Sequence, residues 1–308
     1  MLGLEIMDLF RAMPGSVAQG LIWGIMAIGV YITFRILDFA DLTVDGSLGL
    51  GGAVAGMLIL AGFPPYLVLI ISFISGLLAG LVTGLLHTLL GIPDILAGIL
   101  TQIALYSVNL NIMGKANQAV SVDRFDLVVS LRYISQAIVV GAIFLIVIIA
   151  LLYWFFGTEQ GFTIRATGCN QEMARAQGIS TNKAKVVGLA LGNGLVGLSG
   201  ALVAQYSGNA DVNMGRGAIV IGLAAVIIGE VIGNAVFRKR MNFALKLFFA
   251  AMGAVIYYLV ITFVLWIGLS SQNLKLFSAI VVAVFLAVPY LKSKYSTSFM
   301  KAAKKGAE

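Results

Sequence analysis

Stretches of about twenty apolar residues recur along this 308-residue chain, and each is long enough to cross a hydrocarbon core of about 30 Å as a helix. The stretches are continuous, which argues against a transmembrane β-barrel, whose strands alternate between lipid and lumen. Nine candidate spans can be placed, at about residues 15–36, 42–61, 66–90, 93–113, 133–156, 186–207, 216–236, 243–267 and 274–291. The segments 36–46 and 91–96 read either as turns or as re-entrant pieces, so the count runs from eight to ten. The fold class expected is an all-α polytopic membrane protein, with residues 1–308 forming one transmembrane domain. Composition agrees: 60% of residues are hydrophobic and 11% charged, where a soluble chain carries about a quarter charged.

The net charge of +7 is a matter of placement rather than a nucleic-acid signal. Arg165, Arg175, Lys183 and Lys185 fall in a central loop, about 157–185. Arg238, Lys239 and Arg240 cluster between two later spans, and Lys292, Lys294, Lys301, Lys304 and Lys305 fill a basic tail, about 292–308. Lysine and arginine gather in cytoplasmic loops, so these groups and the C-terminus are expected on the cytoplasmic side. An odd span count then puts the N-terminus outside. The opening MLGLEIMDLFRAMPG has no basic region ahead of an apolar core, so a cleavable signal is not expected. Cys169 is the single cysteine and His87 the single histidine, so neither a disulfide framework nor a metal site is expected.

The central loop does not read as a slack linker. Asn170 is placed to cap a short helix, QEMARAQ, over Gln171–Gln177. Glu172 sits in its first turn, where the helix dipole favours an acid, and Gly178 is placed to stop it. Ser180 or Thr181 can cap the next, membrane-entering helix. Met173, Ala174 and Ala176 would give the short helix a small apolar surface, suited to a groove on a soluble partner or simply solvated.

From Ile164 to Gly208 the chain reads IRATGCNQEMARAQGISTNKAKVVGLALGNGLVGLSGALVAQYSG. This stretch resembles the signature region of the branched-chain-amino-acid and ribose type permeases of bacterial ABC importers, in which R-A-x-G-x-N-x-x-x-A-x-x-x-G-I precedes a glycine-rich span. Arg165, Ala166, Gly168, Asn170, Ala174, Gly178 and Ile179 fall on that pattern, while Cys169 stands where the family often has an acid. TFRILDFADLTVDGSLGLGGAVAG, from Thr33 to Gly56, and GLAAVIIGEVIG, from Gly222 to Gly233, extend the likeness over about residues 15–290. Within the family the chain looks closest to uncharacterised permeases, some linked to aromatic amino acids.

The resemblance implies an ABC importer permease fold and a division of labour. A permease pair, expected to be a homodimer, would form the pathway in the lipid bilayer. Separate ATPase subunits would bind ATP and Mg below, and an extracytoplasmic substrate-binding protein would deliver a small polar solute, expected to be an amino acid. The chain itself would hold no cofactor, and it contains no GxxxxGK[ST] phosphate loop. By the same analogy the loop helix would couple to the ATPase, through Arg165, Gly168, Asn170, Glu172, Ala174, Arg175 and Gly178.

Candidate pathway residues are the polar groups at membrane depth. Asp38, Asp41 and Asp45 lie near Thr43, Gly46 and Ser47. Asp41 and Asp45, four apart, would share a face on a helix. The group reads either as a polar patch on the route or as a cytoplasmic turn with solvated acids. Glu230 lies well inside a span, where ionisable groups are expensive and face a bundle interior or a cavity. It could hold a dimer or gate, touch substrate, or sit at the interface near Arg238. Asn109, Asn111 and Asn193 read as interhelical glue or as pathway groups. Gly188 and Gly192, continued by Gly194, Gly197 and Gly200, read as tight packing or as a sliding seam. From Gly114 to Arg132 runs the longest outside segment, with a short amphipathic element expected over Phe125–Leu131 that could dock an external partner or only connect two spans.

Three rivals remain on sequence grounds. A sugar or nucleoside permease of the same type would look alike. An ion-coupled secondary transporter is expected to show paired intramembrane acids or broken helices in both halves, whereas Glu230 stands almost alone. A membrane enzyme should show a nucleophile with a base and an orienting acid, and no such set is evident.

Overall fold

The computed structural model describes residues 6–122, 124–237, 241–267, 276–284 and 287. The Arg238–Arg240 cluster, the basic tail and much of the ninth expected span lie outside the described residues.

The elements are α1 (Ile6–Val30), a π-helical turn (Tyr31–Ile36), α2 (Thr43–Leu60), α3 (Pro65–Leu90), α4 (Asp94–Met113), β1 (Asn117–Ala119), α5 (Ile134–Phe155), α6 (Glu159–Cys169), α7 (Gln171–Ala176), α8 (Thr181–Ser207), β2 (Asn209–Asp211), α9 (Ala218–Phe237) and α10 (Phe243–Trp266). Among the described residues eight helices are long and apolar enough to cross a membrane, and the chain is an all-α polytopic membrane protein. Of the ninth expected span, 276–284 is helical, with Val282 packed beside Tyr257 and Ile261 of α10.

Two ends differ from expectation for the same reason. The first helix starts at Ile6 rather than near 15, and α8 starts at Thr181 rather than 186. Hydropathy falls where Asp8, Arg11, Lys183 and Lys185 enter the sequence, but these residues are compatible with helix, so the backbone continues past the apolar stretch. Arg11 and Pro14 thus lie inside the first helix.

Helix α8 is the central post. Its glycines do not form one seam, because they face three different neighbours. Gly188 and Gly192 meet Leu37 and Thr33 at the end of the first span, Gly194 and Gly197 meet α3, and Gly200 meets the Leu48 carbonyl of α2. At the crossing of α2 on α8, a β-carbon on Gly51 would strike the Gly197 backbone. Such close approach supplies dispersion contact where lipid provides no hydrophobic drive between helices.

One end of the bundle carries α6 and α7. The other carries a strap formed by residues 114–122 and 124–133. Its β1 pairs antiparallel with β2, with Asn117 opposite Asp211. Val120 N–H donates to Gly208 O at 2.8 Å, Val128 N–H to the Gln205 side-chain carbonyl at 3.0 Å and Leu131 N–H to Tyr206 O at 3.0 Å. The amphipathic element expected over Phe125–Leu131 is therefore not a helix. Its backbone groups bond to the end of α8, and its own Val128 and Val129 are buried.

Candidate functional site

Helix α2 begins deep in the bundle, not at its edge. Ser47 Oγ donates to Asn193 Oδ1 at 2.7 Å, and Asn193 lies twelve residues into α8, or about 18 Å along its axis at 1.5 Å per residue. About 21 Å of α8 remains beyond it. Ser47 is thus near mid-length of α8, while the break at 37–42 lies on the α6–α7 side of that level, with Leu42 against Gly98 of α4 and Phe39 edge-on to His87, and it buries Asp41 instead of leaving it in a solvated turn. By contrast the segment at 91–93, with Gly91 in a left-handed conformation (φ 67°), is a true turn at the bundle end.

The break is built by local competition for backbone groups. The π-helical turn closes with Leu37 N–H on Ile32 O at 3.0 Å, and Phe39 N–H then reaches Thr33 O. Asp38 adopts φ 55°, a region that aspartate tolerates better than most side chains. Asp41 Oδ1 accepts Thr43 N–H at 2.9 Å and Oδ2 accepts Asn193 Nδ2 at 2.5 Å. Asp41 is 2% exposed, whereas Asp38 faces outward.

Asp41 and Asp45 do not share a helix face, because Asp41 precedes α2 and Asp45 lies in its first turn. Asp45 turns to α9, with Oδ2 accepting Gly217 N–H and Oδ1 accepting Ile219 N–H, both at 2.9 Å. A carboxylate from one helix thereby caps the start of another, where unpaired amides and the helix dipole favour a negative charge.

The other polar candidates separate into two groups. Thr43, Ser47 and Asn193 are buried and bonded to one another or to neighbours. Thr43 Oγ1 lies 2.7 Å from Thr83 Oγ1, which reaches Thr101 Oγ1 at 2.9 Å, a hydroxyl chain linking α2, α3 and α4. Asn193 Nδ2 also donates to Leu189 O. Asn109 and Asp45 instead line a cavity of about 290 Å³, together with Gly46, Gln102, Ile103, Tyr106, Ser107, Val212 and Arg216. About half its lining is polar, and it opens where Ile103, Tyr106, Ser107 and Arg216 are exposed. A larger cavity of about 550 Å³ between α3, α5 and α8 is apolar almost throughout, and suits acyl chains rather than a polar solute.

Residues 209–217 bring Arg216 to this depth. From β2 the segment descends along α2: Ala210 lies against Gly56, Val212 against Gly49, and Gly215 against the Asp45 carbonyl. The Arg216 guanidinium sits 5.8 Å from the Tyr106 ring centroid. Gln102, Tyr106 and Arg216 were missed by sequence reasoning. The signal available was Tyr106 three residues before Asn109 on one helix face, and an arginine set among glycines in NMGRG.

At the opposite, α6–α7 end the loop helix has its expected caps. Asn170 Oδ1 accepts Met173 N–H at 3.0 Å, and Gly178 takes φ 79°. Ser180 occupies the start of α8 without a side-chain cap bond. The Thr181 hydroxyl instead accepts Arg175 Nε–H at 3.1 Å, tying the two helices. The surface of α7 differs from the one expected: Ala174 is 4% exposed and Met173 65% exposed. Glu172 pairs with Arg175 at 3.3 Å across one turn. Arg165 lies 4.9 Å over the Phe243 ring at the start of α10, and Gly168 abuts the Ile36 carbonyl, where a side chain would collide. Next to that contact, Arg35 Nε donates to Glu230 Oε1, a partner that sequence spacing did not suggest. His87 Nδ1 lies 2.8 Å from Ile92 O, and its Nε2 lies 3.0 Å from Lys185 Nζ.

Residues 13–289 match the family described as branched-chain amino acid transport system / permease component. The chain is similar to the tyrosine transport system permease protein of Clostridioides difficile (strain R20291), at 39% identity over 87% of this chain and 88% of the relative. It is also similar to an uncharacterized protein of Rickettsia prowazekii, at 34% identity over 88% of this chain and 95% of the relative. A galactofuranose transporter permease of Escherichia coli (strain K12) shares 28% identity over 86% of this chain and 75% of the relative. No solved structure matches.

Proposed function

Because the chain belongs to the branched-chain amino acid transport system permease family, we propose that it is the membrane subunit of an ATP-driven importer for a small amino acid-like solute. ATP and Mg are held by separate ATPase subunits that dock on α7, and an external binding protein presents the solute at the strap end. Residues 1–308 act as one transmembrane domain in a bacterial cytoplasmic membrane, with the α6–α7 end and the C-terminus inside. Two copies of this chain enclose the route.

One observation carries the reading: an exposed arginine, Arg216, beside a polar cavity near mid-depth. A charge at bilayer depth is costly and is kept where it faces water or protein. Backbone outside helices is likewise tolerated there only where protein buries it or it lines a cavity. The α4 face beside Arg216 is therefore the wall of an aqueous route rather than a lipid surface. Amino-acid cargo is supported by the tyrosine permease relative.

The test is uptake of a labelled amino acid panel into proteoliposomes holding this chain, its ATPase and its binding protein. ATP-dependent uptake is expected, with none by the chain alone under a sodium or proton gradient. Gradient-driven uptake by the chain alone would overturn the reading.

A further inference from the structure

The geometry points to a solute site in the mid-depth cavity that takes a zwitterionic α-amino acid, its carboxylate on Arg216 and its ammonium on the Asn109 amide oxygen. This assignment rests on the permease reading and gives it a ligand chemistry and an orientation.

Asn109 supplies the first half. It is 1% exposed and lines the cavity. Its Nδ2 donates to Gly46 O at 3.4 Å, which sets the amide orientation, since the reversed amide would put two oxygens together. Its Oδ1 is then left buried without a hydrogen-bond partner. A buried acceptor left unpaired costs about 1–3 kcal/mol, so the site is poised for a donor. The Asp45 carboxylate beside it is already bonded to two α9 amides. It adds negative potential without needing a ligand of its own.

Arg216 supplies the second half. Among the described residues it pairs with no carboxylate, and its guanidinium lies against the Tyr106 ring. A guanidinium presents a planar fork of donors matched to a carboxylate. A guanidinium and an unpaired acceptor in one cavity, beside the negative potential of Asp45, are matched together by a ligand that carries a carboxylate and an ammonium. Tyr106, Ile103 and Val212 supply an apolar wall for a side chain. A volume of about 290 Å³ lies at the small end of ligand pockets, about 300–1,000 Å³. A neutral sugar would use the hydroxyl-bonding groups but would gain little from Arg216.

The experiment is saturation-transfer NMR on the full chain in nanodiscs, titrated with L-tyrosine, tyramine and 3-(4-hydroxyphenyl)propanoate. The last two lack the carboxylate and the ammonium respectively. L-tyrosine should bind at least about ten-fold more tightly than either, as loss of a charge-assisted bond predicts. Arg216→Gln should weaken L-tyrosine about ten-fold and leave tyramine unchanged. Asn109→Ser and Asn109→Leu should weaken L-tyrosine and leave the propanoate unchanged. Arg216 is exposed, so its variant keeps the test valid even if both Asn109 variants fail to fold.

Equal binding of the three compounds, or an Arg216→Gln effect of equal size on tyramine, would each overturn the assignment. Amino-acid uptake by the complete importer separates the two levels. If uptake persists while these outcomes occur, the site is wrong and the permease reading stands; if no amino acid is taken up, the amino-acid reading fails as well.

Discussion

Arg35 Nε lies 2.7 Å from Glu230 Oε1, joining the π-helical turn that ends the first span to the second half of α9. The next residue, Ile36, presents the carbonyl against which Gly168 of α6 packs. The α6–α7 end is thus joined to α9 through one close backbone contact and one ion pair. The start of α9, in turn, is held by Asp45 at the cavity.

The proposed docking of an ATPase on α7 predicts that this pair couples the two regions. Arg35→Gln and Glu230→Gln should each lower uptake per ATP hydrolysed. The exchanged pair, Arg35→Glu with Glu230→Arg, should recover part of the loss. Both side chains are partly solvent-exposed, so the change in folding stability should stay within about 1 kcal/mol. Independent, additive losses in the double variant would show that the two residues do not act together.

The two faces of α7 should behave differently. Met173→Asp alters an exposed side chain and should reduce ATPase binding with little effect on thermal stability. Ala174→Asp buries a carboxylate and should loosen α7 itself, by about 1–3 kcal/mol. Cys169 is exposed just before α7 and reports docking directly. A bulky maleimide should label it in the isolated chain, and bound ATPase should slow labelling. Unchanged labelling in the complex would place the ATPase elsewhere.

Asp45 is expected to act first as a structural clamp. Asp45→Ala removes the acceptor for two amides at the start of α9, worth about 1–2 kcal/mol for a lost cap. Asp45→Asn retains one acceptor and should fall between the two. Thermal unfolding of the purified chain in detergent checks the order, and equal midpoints for all three would remove the clamp.

Asp41 should be costlier to truncate. Asp41→Ala orphans Thr43 N–H and one Asn193 Nδ2 hydrogen in a buried site, a loss of at least about 2 kcal/mol. Combining it with Asn193→Ala should cost less than the sum, because the two share a bond. Strict additivity by denaturant titration would contradict the shared network.

Much of the fold was legible because it is local. Apolar length located α2 to α5 within a residue or two, since crossing lipid as a helix requires a minimum run whatever the neighbours do. Asn170 and Gly178 were readable because a cap and a left-handed stop depend on adjacent backbone. The signature from Arg165 to Ile179 likewise lies in one unbroken stretch.

What the chain order could not express was depth and partnership. Hydropathy marks where a run ends, not how far into the bundle that end lies, so the break at Asp41 and the descent of residues 209–217 required the packed structure. Spacing of four placed Asp41 and Asp45 together only on the assumption of continuous helix, and the backbone break sends them to α8 and α9. Arg216 drew no reading as a site residue and Glu230 read as a solitary acid because their settings come from residues far away in sequence. Amino-acid order by itself determined the solvent, the spans and the local caps; tertiary packing decided which polar groups satisfy one another and which, Asn109 and Arg216 among them, are left facing a cavity.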